Sequence, residues 1–155
     1  MKYIIRRGLF KRKVADETGT VVACIRRGFS GISVSGISGT GPVELIVTHT
    51  PSVRHRGAAV IHNSYHAILG GKSIAFASTG NTLLAQRQLN VSTSFGKFLL
   101  TCRFPASDYD IWKNDTLVGR ICTGIWKRNF VSNSLTIPVE ICCILYAFAV
   151  FLKEE

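Results

Sequence analysis

Acidic side chains are scarce in this sequence: 9 Asp and Glu stand against 19 Lys and Arg, a formal net charge of +10. That imbalance excludes an acidic solvating chain and points toward polyanionic partners. Charge of either sign is thin at 18%, while 46% of the 155 residues are hydrophobic. Such a chain can bury one sizeable core, so intrinsic disorder is excluded. No proline-rich or polar stretch is long enough to serve as a linker between domains, and residues 1–155 read as a single domain. The five cysteines (Cys24, Cys102, Cys122, Cys142 and Cys143) have no CxxC spacing and are odd in number. They exclude a disulfide scaffold and read as reduced residues of an apolar interior.

Two further absences concern membranes. The opening Met1-Lys2-Tyr3-Ile4-Ile5-Arg6-Arg7 returns to charge too soon for a secretory signal, and the expectation is a cytoplasmic protein. The longest apolar run, Ile141 to Leu152, is bounded by Glu140 and Lys153-Glu154-Glu155. It falls short of the roughly 20 residues a spanning helix needs, so it predicts a buried core helix and no transmembrane span.

Short strands fill the sequence up to about residue 135. Lys97 to Phe104 alternates, with Phe98, Leu100, Cys102 and Phe104 on one face and Lys97, Thr101 and Arg103 on the other. Three hairpins resemble one another. Their turns are Asp16-Glu17-Thr18-Gly19, Ser78-Thr79-Gly80-Asn81 and Lys113-Asn114-Asp115, each followed by a polar residue and an apolar run. Gly28 to Gly41 predicts a strand broken by turns, and Thr50 to Gly57 predicts a loop. Pro138 suits the first position of a helix, with Thr136 or Ile137 as its cap. A helix apolar on every side must be enclosed, and its length of about 22 Å matches the height of a small barrel. The pattern predicts a closed antiparallel β-barrel with the C-terminal helix threaded through it.

The opening Met1-Lys2-Tyr3, the run Tyr109 to Ile121 with Trp126-Lys127-Arg128 after it, and the apolar last helix together resemble the tubby C-terminal-like superfamily. The likeness is to its short LURP-one-related and scramblase-like members, and it is strongest from Tyr109 to Leu152. It implies a barrel of twelve antiparallel strands around a central hydrophobic helix, and binding to phosphoinositides through basic residues. The sequence departs from the family in having only Glu140 before the last helix, which removes support for a cation site. It also lacks the proline-rich and membrane-spanning extensions of the scramblases, so lipid transport does not carry over.

The positive charge comes in short groups: Arg6-Arg7, Lys11-Arg12-Lys13, Arg26-Arg27, Arg54-His55-Arg56 and Lys127-Arg128. Adjacent strand residues point to opposite faces, so each group is expected to send a member to a strand end or rim. Arg6, Arg7, Lys11, Arg12, Lys13, Arg26, Arg27, Lys127 and Arg128 are the candidates for binding anionic lipid headgroups. The alternative is an adaptor or structural domain with a protein partner. No helix-turn-helix, zinc-finger or RNP-like pattern accompanies the charge, which argues against specific nucleic-acid binding. Other chemistry finds no support. His62 and His66 would lie about 13 Å apart on a strand, too far for one metal. Gly70-Gly71-Lys72-Ser73 lacks the earlier glycine of a phosphate loop, and Gly36, Gly39 and Gly41 do not spell a dinucleotide motif. Asp108 and Asp110 read as solvated residues at a strand start. No catalytic constellation, metal or cofactor is expected, and the reading is of a non-enzymatic binding module.

Overall fold

The computed structural model describes residues 1–8, 11–28, 31–36, 43–55, 58–69, 72–79, 86–103, 108–124, 129–134 and 137–154. Side chains are described throughout these save at 27, 28, 31, 32, 36, 43–55, 58–65, 69, 72, 79, 86, 87, 103 and 151–154. The described chain is mainly β, with antiparallel strands followed by one C-terminal helix. The strands are β1 (Lys2–Arg7), β2 (Lys11–Ala15), β3 (Val21–Gly28), β4 (Gly31–Gly36), β5 (Val43–His55) and β6 (Ala58–Leu69). They continue as β7 (Lys72–Thr79), β8 (Gln86–Thr93), β9 (Gly96–Arg103), β10 (Asp108–Lys113), β11 (Thr116–Cys122) and β12 (Asn129–Asn133), and α1 spans Val139–Glu154. Each strand pairs with its sequence neighbours, and β1 also pairs with β12, Lys2 facing Ser132 and Ile5 facing Asn129.

Turn chemistry sets the register. Between β2 and β3 the Asp16 carboxylate accepts from the Thr18 hydroxyl (2.6 Å) and from the Thr18 and Thr20 amides, and Gly19 takes a φ of +88°. These bonds, the Thr18 hydroxyl foremost, hold the Asp16 carboxyl below its ordinary range. Between β10 and β11, Asn114 and Asp115 both adopt positive φ, 50° and 60°, as a two-residue hairpin turn of the primed kind requires. Gly80 and Asn81 of the middle hairpin lie outside the described residues. Strand β9 alternates as its sequence predicts, with Phe98, Leu100 and Cys102 buried and Lys97 exposed.

The loop expected over Thr50–Gly57 is corrected. Its described part belongs to β5, where Arg54 faces Ala59 and His55 faces Ala58. Pro51 is accommodated because the ladder shifts between Thr50 and Val53, and a bulge removes the need for the missing N–H.

Helix α1 is enclosed from Ile141 to Val150, where every residue is buried. Around it pack Tyr3, Ile5, Val14, Ile25, Val34 and Val131 from the strands. The Pro138 carbonyl accepts the first helical bond, from Cys142 N at 3.1 Å. Pro138 therefore stands at the cap, and the helix begins at Val139, one residue later than expected; Thr136 lies outside the described residues. All five cysteines are free; four are buried and Cys24 is partly exposed. Among the described residues, no helix is long and apolar enough to cross a membrane.

Candidate anion-binding site

Period-two alternation sorts the basic groups of β1–β3 onto two faces. On β1 the buried Tyr3 and Ile5 share their face with Arg7, so Arg6 points outward. On β2 the buried Val14 shares its face with Arg12, and Lys11 and Lys13 point outward. On β3 the buried Ala23 and Ile25 leave Arg26 outside.

The register then gathers the outward members. Arg6 lies directly opposite Lys13, and Lys11 directly opposite Arg26. All four are exposed, and among the described residues none has a carboxylate within salt-bridge distance. Like charges facing each other across strands oppose folding by up to about 1 kcal/mol, so this wall carries a mild electrostatic penalty that an anion would relieve. By contrast Arg120 on β11 is neutralised by Asp110 of β10 at 3.0 Å. Asp108, expected to be solvated, is half-buried at the start of β10.

The inward members meet the helix. Arg7 and Arg12 are register partners at the end of the β1–β2 ladder. Arg12 Nη1 donates to the Tyr146 hydroxyl at 2.7 Å, with its guanidinium 5.7 Å from the ring centre. With the Asn129 amide oriented by its hydrogen-bond partners, Nδ2 faces the Gly124 carbonyl (2.8 Å), and Oδ1 accepts from the Tyr146 hydroxyl (3.0 Å) and from Arg7 Nε (3.1 Å). Asn129 and Tyr146 are both buried. Beside the pair, Gly8 N donates to the Lys11 carbonyl at 2.8 Å, and a Cβ on Gly8 would stand 2.6 Å from that oxygen.

Arg27 faces Ile32 in the β3–β4 ladder, and Lys127 and Arg128 lie outside the described residues. The structure thus brings together six of the nine candidates, four outside and two inside. Asn129 and Tyr146 are not among the residues that charge and motif single out. A lone phenol inside an apolar helix is the signal for one of them, since a buried tyrosine hydroxyl needs a partner.

A groove of about 610 Å³ lies beside this wall, lined in part by Met1, Lys2, Glu17, Leu117, Arg120 and Phe130. Lys2 Nζ sits 4.4 Å from the Phe130 ring centre, and Leu117 is 48% exposed. Comparison of the chain with protein-family models, curated proteins and solved structures finds no match.

Proposed function

We propose that this chain is a tubby-like closed barrel around α1 that works without catalysis, as a peripheral module docking on anionic membrane surfaces at the cytoplasmic side. The observation that carries this reading is the outward cluster of Arg6, Lys11, Lys13 and Arg26, opposed in pairs and unneutralised among the described residues. Four cations on one wall suit a surface of phosphate groups, where each basic residue contributes about 1 kcal/mol. Binding of that kind needs no pocket and no inserted helix. The groove with its exposed Leu117 favours a second reading, an adaptor that holds a protein partner.

Co-sedimentation with neutral and anionic vesicles at low and high salt tests the first reading. Binding is expected only to anionic vesicles, and to weaken as the Debye length falls from about 10 Å to about 3 Å. Neutralising Arg6 and Lys13 together should remove most of it. Salt-independent binding to neutral vesicles, or none to either, would discard the docking model and leave the groove as the working surface.

A further inference from the structure

The inward pair differs from the outer wall in being held. Arg7 is fixed through Nε by Asn129, and Arg12 through one Nη by Tyr146, so three hydrogen bonds link the two guanidinium groups. Those bonds use one N–H of each group. Among the described residues, the remaining N–H groups have no partner and no carboxylate stands within salt-bridge distance of either arginine. Arg7 is exposed and Arg12 partly so, which keeps the pair open to solvent beside the Gly8–Lys11 connection.

A guanidinium offers a planar fork that matches two oxygens of a phosphate, and the match gains most when the fork is already oriented. Directly opposed arginines on neighbouring strands have Cβ atoms about 5 Å apart, close enough for both forks to reach one tetrahedral anion. The orienting groups are buried and belong to β12 and α1, two elements separate in sequence from the arginines. Surface cations kept only for solubility have no need of such support.

We infer that Arg7 and Arg12, positioned by Asn129 and Tyr146, form a site for a single phosphate group, a monoester or inorganic phosphate. It lies on the inward side of the wall, so it does not rest on the docking model. The phosphate has two sources to consider, a lipid headgroup and a soluble ligand.

The test is a titration of the whole chain with inorganic phosphate at constant ionic strength, with chloride as control. It follows the backbone amide resonances of Gly8, Arg12 and Gly124. Saturable shifts with phosphate alone are expected, and Arg7→Gln or Arg12→Gln should each weaken binding at least tenfold. Arg12→Lys keeps the charge and loses the fork, and it should weaken binding nearly as much. Tyr146→Phe should reduce affinity several-fold while the total charge stays the same. A response shared with chloride, or unchanged in Arg12→Gln, overturns the site. Vesicles then separate the sources. Should Arg12→Gln also lose docking on phosphatidylinositol phosphate vesicles, the phosphate is a headgroup; should docking persist, the ligand is soluble. Docking on phosphatidylserine vesicles reports the outer wall by itself, and the Arg6 and Lys13 substitutions should remove it while phosphate binding remains.

Discussion

Near the start of α1, Cys142 meets Asn133; one helical turn on, Tyr146 meets Asn129. Both asparagines belong to β12, on one face, and both are buried. Four residues advance about 6 Å along a helix and about 13 Å along a strand, so the second meeting has a longer gap to cross. A phenol reaches where a thiol would not. The chemistry then diverges. Asn133 Nδ2 donates to Cys142 Sγ at 3.3 Å, while its Oδ1 has no hydrogen-bond partner among the described residues. Its main chain exchanges bonds of 2.9 Å with Met1. Asn129 instead has both its amide nitrogen and its amide oxygen bonded, and shares the oxygen with an arginine. The first junction ties a buried thiol and the chain's first residue to the end of β12; the second orients a guanidinium toward solvent. One residue type on one strand serves both purposes because the helix offers it different partners.

Three experiments probe that contrast. The largest effect is expected from Ile144→Asp, which places a charge between the two junctions at a side chain with 0% exposure. A buried, unpaired carboxylate costs more than about 4 kcal/mol, and the cooperative transition in circular dichroism should vanish. A native-like melt would mean that α1 is not held between the junctions. Next come Asn129→Leu and Asn133→Leu, compared by urea denaturation. The first leaves the Tyr146 hydroxyl proton and the buried Gly124 carbonyl without their Asn129 partner and should cost about 2–3 kcal/mol; the second removes an already orphaned oxygen and should cost under about 1 kcal/mol. Equal losses would erase the distinction between the ends.

The smallest effect is alkaline. Burial pushes the Cys142 thiol from 9.0 to about 12, and Cys143 moves in the same direction. The folded thiols keep protons that the unfolded ones release above pH 9, so stability is full below that pH and declines as it climbs toward 12. Each thiol should account for about 1 kcal/mol by pH 9.5, and Cys142→Ala should flatten the slope in denaturation series between pH 8 and 10. An unchanged slope would remove Cys142 from the first junction.

Much of the wall is legible in the order of the residues alone. Gly19 and the Asn114-Asp115 pair announce their turns through the positive φ they tolerate, and Ile141 to Val150 announces enclosure by carrying apolar side chains on every side. The basic groups are visible too, and strict alternation alone separates Lys11 and Lys13 from Arg12. What alternation cannot supply is the partner. The bond from Arg12 to Tyr146 joins residues 134 positions apart, and no local pattern encodes it. Thr50–His55 misleads for a different reason. Proline argues against a strand when read locally, yet a bulge frees Pro51 from the ladder.

The pairing of β1 with β12 also sets the order in which the molecule can be made. Strand β1 waits for β12, and the helix that packs on the strands' apolar faces is synthesised after both. At ribosomal speeds of 5–20 residues per second, roughly, the early strands spend several seconds with their apolar faces uncovered. Contacts of such long sequence separation also favour slow folding once synthesis ends. Production of this protein should therefore be limited by the exposure of uncovered strands, which ends when α1 packs on them.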